Sequence, residues 1–430
     1  MVSTRSLRLG SLLLAGAGCV GSISTVNAED WPNFRGENRD GISSSTNLMD
    51  QWPSSGPELL LTAEGAGRGY ASPAIAGGKA YTLGDKVPGA DDEGERMTCF
   101  DAKTGKLLWS TKTGPAWNSG KDSWQGSRST PAVDGDMVYV ITPHGRLVAA
   151  KTSNGDIVWS RDLKEDLGGK KKDSWGYSES PLIDGDKLIC TPGGPKATVV
   201  ALNKLTGETI WTCARADDPG AGHSCVVTSN VGGRKVYVQN TGGGPLGIDA
   251  ETGKLLWDYD ISPPTAFIPT PIIDGDLVYT VAGYGTGGAL LKQVASGRGV
   301  DIEEVYGLQT DLGNKHGGVI KIGDHLYFGK EDRSIVTCAR MDSGEVVWKE
   351  RGQGKGSIAI GAADGKIFLR YQSGEVVMAK ASPGGFEALG KLKTPTSGEG
   401  DKPSWAHPVI ADGRMYLRED NTIYVYNLSK

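Results

Sequence analysis

Asp101-Ala102-Lys103-Thr104-Gly105-Lys106-Leu107-Leu108-Trp109 is the stretch on which the fold turns, because the chain returns to it. Lys151-Thr-Ser-Asn-Gly155-Asp-Ile-Val-Trp159 has the same form, as do Asn203-Lys-Leu-Thr-Gly207-Glu-Thr-Ile-Trp211 and Asp249-Ala-Glu-Thr-Gly253-Lys-Leu-Leu-Trp257. Met341-Asp-Ser-Gly344-Glu-Val-Val-Trp348 is one residue shorter. The first four tryptophans are 50, 52 and 46 residues apart, and the step to Trp348 is 91. A period near 46–52 puts a degenerate copy in between, over Ala295 to Val305. Periodicity of this length is the signature of stacked supersecondary units.

A second motif keeps step with the first. Ser72-Pro73, Thr130-Pro131, Ser180-Pro181 and Thr270-Pro271 each precede a short apolar run and a Gly-Gly or Asp-Gly-Asp turn. Looser versions start near residues 224, 316, 360 and 407. Each unit reads as four antiparallel strands: a short inner strand, a tight hairpin, two more strands, and a fourth that ends in tryptophan. Glycine and aspartate suit hairpin turns because those turns need positive φ. Four antiparallel strands per unit is a propeller blade, which buries both faces only against its neighbours. The expectation is an all-β, eight-bladed β-propeller, with a seven-bladed ring as the alternative. The last unit, which ends on Thr422 to Tyr426, lacks a fourth strand. Glu58 to Thr62 is an unassigned strand that can fill the gap and close the ring, removing an exposed edge. The organisation read from the chain is a signal peptide over 1–28, an irregular segment over 29–57 and one propeller domain over 58–430.

Composition agrees. Glycine supplies 64 of 430 residues, about twice ordinary usage, which suits many turns and disfavours long helices. The net charge is −5, so no general attraction to nucleic acid is expected. Lys170-Lys171-Lys172 reads as a solvated loop tip. Residues 1–28 carry Arg5 and Arg8, an apolar run from Leu9 to Val20, and Val26-Asn27-Ala28 before Glu29. That is the pattern of an export signal cleaved after Ala28; lipidation at Cys19 is the rival reading. The expected location is periplasmic or secreted, with no transmembrane segment. Cys99, Cys190, Cys213, Cys225 and Cys338 remain after cleavage. No pair has Cys-x-x-Cys spacing, and a disulfide between Cys213 and Cys225 is left open.

The Thr-Gly-x-x-x-Trp repeat resembles the tryptophan-docking repeat of the pyrroloquinoline quinone (PQQ) dehydrogenases and their non-enzymatic relatives, among them a propeller lipoprotein of outer-membrane assembly. Asp30-Trp31-Pro32-Asn33-Phe34-Arg35-Gly36 resembles the start of other exported proteins with this repeat. The resemblance implies that Trp109, Trp159, Trp211, Trp257 and Trp348 pack between blades, with Gly105, Gly155, Gly207, Gly253 and Gly344 as turn residues. It also implies that an enzyme of this kind needs a vicinal cysteine pair, calcium held by oxygen ligands and an aspartate base. No Cys-Cys dipeptide occurs in the chain. The acidic loop Asp91-Asp92-Glu93, with Glu95, lacks a calcium-loop spacing and includes Arg96.

One constellation stands apart from the repeat. His223, His316 and His407 fall at the start of inner strands, Glu179 and Arg128 hold related places, and Trp124, Trp175 and Trp405 lie just upstream. Inner strands begin beside the central channel, so these eight residues are expected to ring one mouth of it and stay partly accessible, with the histidines titrating near their ordinary value. Three histidines on non-adjacent blades do not make a compact metal site, and neither a metal nor a catalytic residue is assigned. No G-x-S-x-G or H-E-x-x-H motif is present. The functional expectation is an exported, monomeric, non-enzymatic propeller that binds an envelope or secreted protein or a small polar ligand, with no cofactor. The alternatives are a PQQ-dependent alcohol dehydrogenase, which would bring PQQ with calcium, and an outer-membrane assembly scaffold.

Overall fold

The computed structural model describes Met1 and residues 29–118, 124–297, 299–395 and 402–430. The expected export signal, with its cleavage point after Ala28 and Cys19, lies outside the described residues. The described strands form eight antiparallel four-stranded blades, and the one helical element among them is the 3₁₀ turn Thr310–Leu312. The seven-bladed alternative is therefore set aside. Among the described residues no helix is long and apolar enough to cross a membrane.

Blade two shows how the sequence builds a unit. Its strands are Ala132–Asp134, Met137–Ile141, Arg146–Lys151 and Ile157–Asp162. Gly135 takes φ 55° in the two-residue turn between the first two, a conformation that costs a side chain but not glycine. Val138, Val140, Val148 and Ala150 face blade one, while Tyr139, Ile141, Leu147 and Ala149 face blade three. Period-two alternation thus feeds two cores, and each core is shared between neighbours. First strands of adjacent blades touch around the axis. Fourth strands form the rim, where Leu107, Leu108, Ile157, Val158 and Ile210 are exposed.

The repeat tryptophans join blade to blade, as the resemblance implies. A Cβ on Gly155 would lie 2.6 Å from the Trp109 ring, one on Gly207 2.7 Å from Trp159, and one on Gly253 2.6 Å from Trp211. Each ring rests on the turn glycine of the next blade. Three of the repeat indoles donate to a turn carbonyl of the next blade, Trp109 to Thr152 at 3.2 Å, Trp159 to Lys204 at 3.0 Å and Trp348 to Ser382 at 3.1 Å, whereas the buried Trp211 N–H has no hydrogen-bond partner. Covering a ring such as Trp211 takes roughly 150–250 Å² from water, or about 4–6 kcal/mol of transfer free energy as an upper bound. The degenerate blade five departs from the rule at both of its interfaces. Trp257 donates to the Gln293 side chain instead of a turn carbonyl. On the other side Gln309 stands where a tryptophan would, against Gly344, and its amide donates to the Ser343 carbonyl.

Leu59–Glu64 pairs antiparallel with Thr422–Asn427, Thr62 opposite Tyr424, and completes blade eight. The expected strand closes the ring, extended by two residues. All five cysteines of the described chain are buried and free, so Cys213 and Cys225 are not bridged.

The segment before that strand crosses the propeller axis. The Trp31 amide and carbonyl pair with Ile75 of blade one, and the Pro32 carbonyl accepts from the Val133 amide of blade two. Arg39 donates to the carbonyls of Ser180 and Pro181 in blade three, and Arg35 to that of Val319 in blade six. Ile42–Ser43 then adds a parallel strand to Ile358–Ala363 of blade seven. Residues 31–43 therefore plug the channel. The turn of the plug holds Arg35 at φ 68° and Arg39 at φ 57°, left-handed backbone that side chains adopt only when the surroundings enforce it.

Candidate functional site

Above the plug lies a cavity of about 410 Å³, within the roughly 300–1,000 Å³ of small-molecule sites. Seven of the eight expected mouth residues line it: Trp124, Arg128, Trp175, His223, His316, Trp405 and His407. Glu179 does not. Its carboxylate turns into the protein, accepting from the Thr191 amide at 2.7 Å and from the Thr191 hydroxyl. Burial drives its pKa up to about 7 against those hydrogen bonds. The Ser/Thr-Pro register placed Glu179 correctly along the chain, but its side chain points to a buried polar partner.

The walls are rings. Trp405 packs against His316 with centroids 4.9 Å apart, against Tyr70 at 5.2 Å and against Trp124 at 6.3 Å. Phe34 of the plug meets His407 edge-on at 4.9 Å. The Arg128 guanidinium lies over Tyr70, a favourable cation–π placement. Trp124 and Tyr284, both on the lining, hold φ 65° and 59°. Strained backbone of this kind gathers at ligand sites.

The histidines are not the free titrating groups expected. Burial, then the charges of Lys315 and Arg128, push His316 down to about 3. Burial and Arg35 bring His407 to about 3. Burial and Lys171 lower His223 to about 4, against the opposing pull of Asp173. The imidazoles are neutral at pH 7. The lysine run is also corrected. The Lys171 side chain is 7% exposed and donates to the Gly222 carbonyl. Lys172 donates to the carbonyls of Gly242 and Pro263. These lysines pin loops together instead of forming a solvated tip.

Ser178, His223 and Asp173 form a relay that no linear motif revealed. The Ser178 hydroxyl lies 2.6 Å from His223 Nδ1, and His223 Nε2 lies 2.8 Å from the Asp173 carboxylate. Burial would raise Asp173, but the hydrogen bond and charge of His223 and the Lys171 ammonium outweigh it and hold the carboxyl at about 2. The chain of contacts resembles a nucleophile, base and orienting acid. A general base works best with a pKa near the working pH. The imidazolium that must form as serine loses its proton is disfavoured here by burial and Lys171. The relay is thus better suited to latching the entry loops of blades three and four than to catalysis.

Sequence reasoning also missed Phe34 and Arg35, which form part of the cavity floor. Arg35 is 3% exposed and donates to the carbonyls of Arg39, Asp40 and Val319. Among the described residues neither Arg35 nor Arg39 has a carboxylate within ion-pair distance. A buried charge without a counter-charge costs several kcal/mol. The available signal was the pair of arginines in Phe34-Arg35-Gly36-Glu37-Asn38-Arg39, a stretch too short to be a strand of the repeat.

Comparison with known proteins agrees with this architecture. A family model described as outer membrane protein assembly factor BamB matches residues 92–350. The BamB of Bordetella pertussis is 22% identical over 338 residues, 74% of this chain and 78% of that protein. The quinohemoprotein alcohol dehydrogenase ADH IIB of Pseudomonas putida is 25% identical over 253 residues. That match takes in 55% of this chain but only 35% of the dehydrogenase. The crystal structure of BamB from Moraxella catarrhalis superposes with a TM-score of 0.60 at 14% identity, covering 86% of this chain and 97% of that one. At that identity the likeness speaks for the fold. The matched span takes in more than half of the sequence, and the chain belongs to the propeller family described as outer membrane protein assembly factor BamB.

Proposed function

We propose that this protein is an exported propeller of the bacterial envelope that binds a small polar ligand in the cavity at its channel mouth. The observation that carries the reading is the cavity itself. It is floored by a plug, walled by aromatic rings and rimmed by strained residues, and its lining departs from the repeat at each blade. Residues that only hold blades together have no reason to differ so much from one blade to the next.

The dehydrogenase relatives raise the question of PQQ held with calcium. Arg128 and Arg35 suit an anionic ring, but the oxygen donors for calcium are not assembled. The carboxylate on the lining is Asp332, and it pairs with Lys315 at 2.5 Å. Among the described residues no three of His, Cys, Asp and Glu come together as a metal site. The residues do not fit that centre, and no redox step is assigned.

A scaffold role like that in the family's description is supported by a different feature. The exposed apolar pairs Leu107-Leu108 and Ile157-Val158 recur in register on the rim, where a partner protein can dock.

A thermal-shift screen of the purified protein and its Trp405→Ala variant tests the cavity reading. Small polar compounds should raise the melting temperature of the parent and not of the variant. PQQ with calcium should raise neither. Stabilisation by PQQ with calcium would restore the dehydrogenase reading, and compounds that act equally on both proteins would remove the cavity as the site.

A further inference from the structure

Two polar atoms on the cavity floor have no partner. Arg35 Nη1 and His407 Nδ1 are both buried and make no hydrogen bond, although each side chain is less than a tenth exposed. They converge on one residue. A Cβ built on Gly318 would lie 2.3 Å from Arg35 Nη1 and 3.3 Å from His407 Cε1, the carbon bonded to Nδ1. Gly318, at φ 77°, carries no side chain, and the place a Cβ would take is occupied by the Arg35 guanidinium, so only glycine admits it there. All three residues line the cavity.

The chemistry of the two atoms differs. Arg35 Nη1 is a charged donor. His407 Nε2 lies 3.1 Å from the His316 carbonyl, which can only accept. The proton of the neutral ring is therefore on Nε2, and Nδ1 presents a bare lone pair. Burial keeps that ring neutral at pH 7. The floor thus offers one cationic donor beside one neutral acceptor. Buried polar groups are nearly always satisfied; one hydroxyl can pair with both atoms but leaves the guanidinium without a counter-charge, and a carboxylate alone supplies the charge but donates nothing to the histidine. A carboxylate takes the arginine. A hydroxyl on the adjacent carbon gives its proton to the histidine.

We propose that Arg35, His407 and Gly318 form a subsite for an α-hydroxy carboxylate, whose carbon body lies against Phe34 and Trp405. The subsite rests on the reading of the mouth as a ligand site. It assigns the plug a second role, because the residue that reaches across the channel to Val319 also supplies the free guanidinium nitrogen. The same chemistry is carried by an aromatic hydroxy acid and by a sugar acid, and the test separates them.

Calorimetric titration of the purified protein uses mandelate as the aromatic hydroxy acid and gluconate as the sugar acid. Phenylacetate, which lacks the hydroxyl, and mandelamide, which lacks the charge, are the controls. At least one hydroxy acid should bind, and which one does identifies the source. Mandelate should bind about tenfold or more tightly than either control, the size of one lost hydrogen bond to a charged or buried group. In the sugar-acid case, gluconate should exceed gluconamide by the same factor. His407→Phe should abolish the preference for the hydroxyl and keep the preference for charge. Arg35→Gln should abolish the preference for charge. The comparison of acid and amide on the unmodified protein stands even if Arg35→Gln disturbs the plug. Failure of both hydroxy acids to bind, or equal affinity for acid and amide, overturns the subsite. A neutral compound whose binding is lost in Trp405→Ala but kept in Arg35→Gln overturns the subsite alone and leaves the cavity reading standing.

Discussion

The outer belt of the ring and its inner mouth are built from the same eight units, yet they use the repeat in opposite ways. On the belt, Gly155, Gly207 and Gly253 each carry the tryptophan of the preceding blade. At the mouth, equivalent inner-strand starts hold Glu179, His223, Thr270, His316 and His407. Similarity from blade to blade marks the contacts that every interface needs. Dissimilarity marks positions released from that duty, and of these His223, Thr270, His316 and His407 line the cavity while Glu179 turns into the protein. In a repeat protein the consensus reports the fold, and departures from it report the site.

The sharpest way to break this comparison is to remove what spans both regions. Deleting residues 29–64 takes away the plug and the closing strand of blade eight together. We expect loss of a single cooperative melting transition and self-association through the bared Thr422–Asn427 edge, read by calorimetry and size-exclusion chromatography. A monomer that melts like the parent would show that the ring closes without them.

Next in size is the belt. Trp211→Ala should destabilise by about 3–5 kcal/mol, since the ring is almost fully buried. Gly253→Val should also destabilise, because its Cβ would meet Trp211 at 2.6 Å from a backbone at φ 75°. Chemical denaturation of both single variants and the double variant should show non-additive losses, as expected for groups in contact.

Buried ionisable groups supply a smaller effect that depends on pH. Burial raises Glu95 to about 8, against its hydrogen bonds from Ser127 and Thr113. Its folded pKa lies above the unfolded value near 4.5, so the folded state holds the extra proton in between. Stability from this group falls as pH rises from about 4.5 to 8, and Glu95→Gln should flatten that slope. The histidines act in the other direction. Their folded values of about 3 to 4 lie below 6.5, so their contribution is lost as pH falls from about 6.5 toward 3. Melting temperatures across pH 3–9 would separate the two limbs. A Glu95→Gln profile that matches the parent would mean that Glu95 is ionised in the fold.

The mouth should give the smallest changes in stability. Trp405→Ala should cost about 1 kcal/mol or less in denaturant, since the ring is half-buried on a cavity wall. Ser178 should remain unlabelled by excess fluorophosphonate at pH 7, as judged by mass spectrometry. Labelling of Ser178 would show that the relay activates serine after all.

Much of the architecture was legible because it is written many times. The Thr-Gly-x-x-x-Trp and Ser/Thr-Pro registers place eight inner strands to within about three residues of where they lie, and Glu58 to Thr62 was recognisable as the closing strand. The plug occurs once, so no period exposes it, and the parallel strand Ile42–Ser43 was folded into an irregular segment. The relay joins Asp173 and Ser178 to His223, about fifty residues apart, through a blade-to-blade contact that only the closed ring creates. Register also could not tell that Glu179 turns inward to Thr191 while His223 lines the cavity. Nor could it show that Lys171, in a run that looks solvated, is covered by neighbouring loops.

The closing strand has a consequence in time. Leu59–Glu64 and its partner Thr422–Asn427 lie about 360 residues apart along the chain. A chain made from its N-terminus holds Leu59–Glu64 unpaired until the residues between the two strands have been made. Contacts so distant in sequence are slow to form, and an open sheet edge invites pairing with other chains meanwhile. The waiting period, more than the finished ring, is when this molecule is most exposed to misassembly.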